Sequence, residues 1–274
     1  MVMTLAGADP TGGAGLQADL LTLASLGCHP LSVVTAVTVQ DTGGVTDFLV
    51  MDSEWVTDQA RTLLEDIKVA AFKVGMIGSV ENVSAIAEIV SDYPDVPLIV
   101  DPVLASGGGH AFADEDLIAA LREMLLPQTT ILTPNSIEAR RLAANDPDEE
   151  DQLTLEQCAE RLTNLGCQYV LITGTHEHTK HVTNVLYDSQ GKVRADSWER
   201  LPGSYHGSGC TLASAITGML AGGADIQEAV HQAQDYTYQT LKHAFRPGMG
   251  QFIPDRLFWA RPNGEQEQET GKPS

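Results

Sequence analysis

Short apolar runs alternate with helix-length amphipathic stretches along almost the whole chain, and this alternation constrains the fold more than any other feature. Met1 to Ala6 reads as a strand, a Gly-rich turn follows, and Leu16 to Leu26 reads as a helix. Leu31 to Val39, rich in Val and Thr, reads as the next strand. The alternation continues with helices over Thr57–Ile67, Val83–Val90, Asp116–Leu126, Ser136–Ala144 and Leu155–Leu165. Between them, Ala70–Val74, Pro97–Asp101, Thr130–Thr133 and Tyr169–Thr173 read as buried strands. Val182–Asp188 and Val193–Leu201 form a hairpin through Ser189, Gln190 and Gly191, and the helices Thr211–Ala221 and Ile226–Ala244 follow. Such βα alternation implies an α/β fold with a mainly parallel sheet and helices on both faces. Ligands of such sheets bind beyond the carboxyl ends of the strands, so the polar residues just after each strand come first. No Pro/Ser-rich linker divides the middle, which predicts one domain over residues 1–261. Asp146 to Asp151 reads as a solvated acidic connection, and the polar tail 262–274 as disordered.

Charge narrows the partners. The chain has 274 residues with 16 basic against 37 acidic, a net charge of −21. Phosphate backbones and anionic membranes both select for clustered Lys and Arg, so neither nucleic acid nor a membrane surface is expected as a partner. If the substrate is an anion, backbone N–H groups, a helix N-terminus or a metal ion must supply local positive potential. The four cysteines, Cys28, Cys158, Cys167 and Cys210, show no C-x-x-C spacing. No secretory signal and no apolar run of membrane-spanning length is seen, which predicts a cytoplasmic protein with reduced thiols.

Four segments carry chemistry. Gly7 to Asp19 (GADPTGGAGLQAD) sits between the first strand and the first helix. An ordinary tight turn accounts for one or two glycines, whereas three within four residues favour a binding loop. It lacks the frame of a dinucleotide fingerprint. The second segment, His206-Gly207-Ser208-Gly209-Cys210-Thr211, precedes a helix and suits an oxyanion or phosphate cradle. No Walker A sequence occurs anywhere. Cys210 at a helix N-terminus is expected to have a lowered pKa and thiolate character. Against this, a lone cysteine in such a place is more often a buried small hydrophobe.

The third segment comprises Asp101, at the end of a buried strand, and Thr133-Pro134-Asn135-Ser136-x-Glu138 after another. Asp, Asn and Glu oxygens there suit Mg²⁺ bridging to phosphate, while a helix cap with an acidic first turn explains Asn135 and Glu138 equally well. In the fourth, Thr173-Gly174-Thr175-His176 follows the Tyr169 strand and could lie against a nucleotide phosphate. His176, His178 and His181 read as part of a solvated loop rather than a metal site. Gln40 and Met76, each after an apolar run, are uninformative alone.

Taken together, GADPTGGAGLQADL, VTAVTVQDTGGV, KVGMIGS, VDPVLASGG, TPNSIEA and HGSGCT resemble, in order, the hydroxymethylpyrimidine/phosphomethylpyrimidine kinases of thiamine biosynthesis. The resemblance spans Leu5 to roughly Ala244. It implies a ribokinase-like three-layer α/β/α sandwich, commonly a homodimer. It also implies that ATP and Mg²⁺ phosphorylate an aminopyrimidine alcohol and then its monophosphate. By the same resemblance Gln40 reads the pyrimidine amine and ring nitrogen, Met76 and Val103 form the apolar pocket, and Gly7 and Ala14 cover the ring. Asp19 belongs to that N-terminal pocket. Gly207, Ser208, Gly209 and Cys210 form the anion hole, with Cys210 in the place of a general base. Asp101 and Glu138 hold the metal, and Asn135, Thr173 and Gly174 lie on ATP.

Two positions depart from that pattern. Thr173-Gly174-Thr175-His176 stands where the family usually has Lys-Gly-Gly-His, which removes a positive charge near the ATP phosphates. Asp41 stands where an Asn usually follows the glutamine. The Thr-Gly form resembles pyridoxal kinases of the same superfamily, so a pyridoxal or pyridoxine kinase is the enzymatic alternative. A non-catalytic vitamin-binding regulatory protein is the alternative of another class.

Overall fold

The computed structural model describes residues 1–105, 109, 111–177 and 179–261. The tail 262–274 and His178 lie outside the described residues, as does part of the Asp101 motif, at residues 106–108.

The strands are β1 (Val2–Ala8), β2 (Pro30–Gln40), β3 (Val45–Val50), β4 (Ala71–Val74), β5 (Leu98–Val100), β6 (Ile131–Leu132), β7 (Tyr169–Ile172), β8 (His181–Asp188) and β9 (Gly191–Glu199). They form one nine-stranded sheet ordered β3-β2-β1-β4-β5-β6-β7-β8-β9. The six strands from β2 to β7 in that order pair in parallel, and the antiparallel pairs β2–β3, β7–β8 and β8–β9 finish both edges. The helices are α1 (Gly15–Ser25), α2 (Ser53–Asp66), α3 (Val80–Ser91), α4 (Glu115–Ala120), α5 (Ser136–Ala143), α6 (Leu155–Asn164), α7 (Ser208–Ala221) and α8 (Ile226–Lys242). One large core cluster packs α2 to α6 on one sheet face, and a second packs α7 and α8 on the other, with α1 against α7. The architecture is therefore a three-layer α/β/α sandwich, as expected.

The differences have local causes. The strand β3 is absent from the reading above because it is a half-exposed edge strand whose Asp47 and Thr46 blur its apolar pattern. The helix expected over Asp116–Leu126 is α-helical only to Ala120; a π turn (Leu121–Leu125) and a 3₁₀ turn over Leu126–Gln128 complete it. Pro127 ends the regular pattern there. The acidic connection is a 3₁₀ turn, Pro147–Gln152.

After β1 the chain crosses to β2 on one side, and β4 lies on the other side of β1. This reversal opens a crevice at the carboxyl end of the sheet, and most of the singled-out polar residues follow strands that end there.

Candidate active site

A cavity of about 510 Å³ opens at that end of the sheet. Its first wall is the loop after β1. Asp9 is buried and organises this loop: its carboxylate accepts from the Thr11 N–H (2.8 Å), the Thr11 hydroxyl (2.8 Å) and the Ala14 N–H (2.6 Å). His206 Nε2 pairs with the same carboxylate at 2.9 Å, which ties this loop to the turn before α7. Burial pushes the Asp9 carboxyl up, but the bonds from His206, Thr11 and Ala14 outweigh it and hold the group below its ordinary value. A carboxyl depressed on folding stabilises the fold above the unfolded aspartate value of about 4, and that contribution is lost as pH falls through the folded value. Asp9→Asn should therefore cost about 1–3 kcal/mol at neutral pH. It should also flatten the acid-induced loss of stability below pH ~4, read from urea unfolding across pH 3–7. An unchanged acid limb would show that Asp9 is not the group responsible.

The second wall is the turn entering α7. Gly207 is its N-cap with φ of 81°, a conformation that suits glycine, and a Cβ there would run into the Gly13 carbonyl. A Cβ at Gly13 would meet the His206 ring. The two glycine loops thus touch backbone to backbone. No side chain caps α7, so the N–H groups at Ser208, Gly209 and Cys210 remain free of a side-chain cap at the edge of the cavity. Orphan N–H groups and the helix dipole together favour an anion at this point.

Beneath these walls lies a charged cluster that the motif reading only partly anticipated. Lys73, in the middle of β4, is fully buried and donates to Asp19 at 2.9 Å. Asp19 also accepts from the hydroxyls of Thr4 (2.7 Å) and Ser214 (2.7 Å). Asp19 therefore lies under the cavity floor and does not line it, which corrects its expected place in the substrate pocket. Burial acts to lower the Lys73 ammonium, but Asp19, Cys210 and Asp101 together raise it above its ordinary value. A lysine within the apolar run Ala71-Phe72-Lys73-Val74 was the available sequence signal, because unpaired lysines are almost never fully buried.

Cys210 requires a further correction. Its thiol is pushed up to about 12, first by burial, while Lys73 and the Gly15 N–H act in the opposite direction. The helix-terminus effect expected to produce a thiolate is outweighed by desolvation, so the resting group is a thiol. Its side chain lies beside Asp101 and acts to lower that carboxyl. Asp101 is raised to about 6, mainly by burial, and Glu138 to about 8 by burial and the nearby Asp101 charge. Asn135 caps α5 and accepts from the N–H groups of Ile137 and Glu138, while Glu138 accepts from the Asn135 N–H at 3.0 Å. The capping-box reading is thus met, and both side chains still line the cavity. Two buried carboxyls, Glu138 raised further by the Asp101 charge, form a donor pair that a divalent cation would relieve, so the residues fit Mg²⁺. Among the described residues no group of three or more His, Cys, Asp or Glu could hold a metal ion alone, and His176 and His181 form no such cluster.

Gly7, Ala14, Gln40, Met76 and Val103 line the cavity, and so does Thr173 just after β7. Gly174 does not: its N–H goes to Asn184 Oδ1 at 3.1 Å, and a Cβ there would meet the Thr183 carbonyl. Gly174 is therefore corrected from a nucleotide contact to a packing position. Gln40 donates to the Thr38 hydroxyl at 2.7 Å, while its buried Oε1 has no hydrogen-bond partner among the described residues.

The fold and this site define a ribokinase-like kinase, an α/β protein with an anion cradle at a helix N-terminus beside a substrate loop. The phosphomethylpyrimidine kinase family model matches residues 9–255, and the chain belongs to that family. A hydroxymethylpyrimidine/phosphomethylpyrimidine kinase of Rhizobium meliloti is 36% identical over 251 residues, covering 92% of this chain and 94% of that protein. The thiamine biosynthesis bifunctional protein of Geobacter sulfurreducens is 38% identical over 250 residues, or 91% of this chain, and the chain spans 50% of that protein's length. Among solved structures, the pyridoxal kinase of Staphylococcus aureus in complex with ADP superposes with a TM-score of 0.83 at 27% identity, covering 95% of this chain and 94% of that one. No described helix is long and apolar enough to cross a membrane.

Proposed function

We propose that this protein uses ATP to phosphorylate an aminopyrimidine alcohol, 4-amino-5-hydroxymethyl-2-methylpyrimidine, and then its monophosphate, in thiamine biosynthesis. The observation that carries the substrate reading is the orphaned Gln40 Oε1. A buried acceptor without a partner is costly, and an exocyclic amine on the substrate supplies the missing donor. The second N–H of Gln40 Nε2 is then available to a ring nitrogen. Met76 and Val103 offer the apolar surface for the ring, with Gly7 and Ala14 over it.

The anion hole of Gly207 to Cys210 receives the transferred phosphoryl group. Glu138 would hold Mg²⁺, which neutralises phosphate charge when bound, and this leaves Asp101 free to accept a proton. Thr173 and Asn135 face the nucleotide. Cys210 then acts as a relay rather than as a preformed base. As the alcohol oxygen bonds to phosphorus, its proton moves to Cys210 Sγ, and the thiol proton moves to the neighbouring Asp101. The sulfur ends as it began, so no free thiolate is formed.

Residues 1–261 are read as one kinase domain. Val37, Val39 and Leu49 stand exposed on one face of the β2–β3 edge, with Val37 directly opposite Leu49, which supports a homodimer through that face. All four cysteines are free thiols, which supports a reducing, cytoplasmic setting.

The test is a coupled ATP-consumption assay on the aminopyrimidine alcohol, its monophosphate and pyridoxal. Turnover of both pyrimidines above pyridoxal is expected; turnover of pyridoxal alone would replace this reading with the alternative. Gln40→Leu should lower kcat/KM for the alcohol by roughly 10²-fold, the scale of a lost recognition bond plus an unpaired substrate amine, with the KM for ATP unchanged. An equal loss on pyridoxal would show that Gln40 does not read the amine.

A further inference from the structure

We propose that Arg256 is a positioning residue for phosphoryl transfer, which locks the substrate loop and the anion turn into one register from outside the cavity. The proposal rests on the kinase reading above. After α8 the chain returns to the site, and its backbone is pinned there. The His206 N–H donates to the Phe252 carbonyl at 2.8 Å, and the Phe252 N–H donates to the Ser204 carbonyl at 2.9 Å. Further along, the Asp255 N–H donates to the Thr240 carbonyl at 3.0 Å, and the Tyr236 hydroxyl donates to the Arg256 carbonyl at 2.8 Å.

From this anchored backbone the Arg256 side chain, only 3% exposed, reaches both loops. It donates to the carbonyls of Gly12 (3.2 Å) and Gly13 (2.5 Å) and to the Thr211 hydroxyl (3.1 Å). Thr211 in turn donates to the Gly207 carbonyl at 2.8 Å. One planar guanidinium therefore joins the loop after β1 to the first turn of α7.

Two features distinguish this from an ordinary structural ion pair. Among the described residues no carboxylate hydrogen-bonds Arg256, and all three of its partners are neutral oxygens. Its charge is held at the base of the anion cradle, where negative charge develops during transfer, and the nearby Asp19 and Asp9 carboxylates act on it without a direct hydrogen bond. In addition, the loops it joins meet through Gly13 and Gly207, where no Cβ fits, so a small slip moves the cradle against the substrate. Arg256 does not line the cavity; it acts through Thr211 and the glycine carbonyls. Lysine carries the charge but lacks the fork needed for three separate acceptors.

The experiment compares wild type, R256K, R256A and T211V as full-length chains. It measures thermal unfolding without ligand, and kcat and KM with the aminopyrimidine alcohol and ATP. R256A is expected to lose roughly 10²-fold in kcat, the scale of a 1 Å misplacement, with the KM for ATP changed less than about 3-fold. R256K should recover little of this. Added guanidinium ion should raise the R256A rate about tenfold or more, because it restores the planar donor. A merely structural role predicts no such rise, since guanidinium destabilises folded proteins. A kcat for R256A within about threefold of wild type, or no response to guanidinium, overturns the proposal. If R256A does not fold, T211V carries the test: a several-fold fall in kcat supports the link and an unchanged kcat overturns it. Wild type inactive on both pyrimidines would instead remove the kinase reading, so the two failures are read from different proteins.

Discussion

Cys210→Ala should slow transfer to the pyrimidine alcohol by about 10²–10³-fold and transfer to the monophosphate by less than ~10-fold, measured as two separate steps. The asymmetry follows from the acceptors. The alcohol must lose a proton as its oxygen bonds to phosphorus, whereas the monophosphate offers an oxygen that is already anionic. The Cys210 thiol, pushed up to about 12 by burial, rules out a standing thiolate as the explanation. A relay through Sγ to Asp101 leaves the proton on a group raised only to about 6. Cys210→Ser keeps a relaying hydroxyl and should recover part of the first step. Equal rates on the alcohol for wild type and Cys210→Ala would remove Cys210 from the chemistry and leave the anion hole as the main contributor.

The second large effect is on stability. Lys73→Met removes a fully buried cation and leaves Asp19 with only the Thr4 and Ser214 hydroxyls. Breaking one partner of a buried pair costs about 3–5 kcal/mol, because the remaining charge is cut off from water and has lost its hydrogen-bonded counterion. For a chain of this size, that corresponds to a fall in Tm of roughly 6–20 °C. Replacing both partners, as Lys73→Met with Asp19→Asn, should recover more than half of the loss, since no unpaired charge then remains. A single variant within about 2 °C of wild type in a ligand-free thermal scan would show that Asp19 is satisfied without the lysine.

Much of the architecture was legible because periodicity reports burial. Strands such as β4, β5 and β7 are nearly continuous apolar runs because both sheet faces are covered. The edge strand β3, half exposed, lacked that signature and was missed. The glycine loops were legible for a related reason: glycines placed between a strand and a helix mark close backbone approach. What the approach served was not legible, since Gly13 and Gly207 contact each other rather than only a ligand.

The site's electrostatics were less accessible. Cys210 at a helix start suggests a lowered pKa, and the reasoning is sound for an exposed terminus. Here the first turn of α7 is packed beneath two loops, and desolvation outweighs the dipole. Asp19 was misplaced because its defining bond is to Lys73, far along the chain, and Gly174 because its N–H is taken by Asn184 on the neighbouring strand β8.

By itself, the sequence of this protein determined a parallel sheet with its helices, and an ordered set of motifs at the carboxyl ends of the strands. Both are local properties, set by side-chain periodicity and by residue types adjacent in the chain. The tertiary structure alone decided which charges are paired, that Cys210 is a thiol, and that Arg256 joins the two glycine loops. Those outcomes depend on burial and on partners distant in sequence. Desolvation and Coulomb energies are fixed by distance in space, and only the folded chain sets that distance.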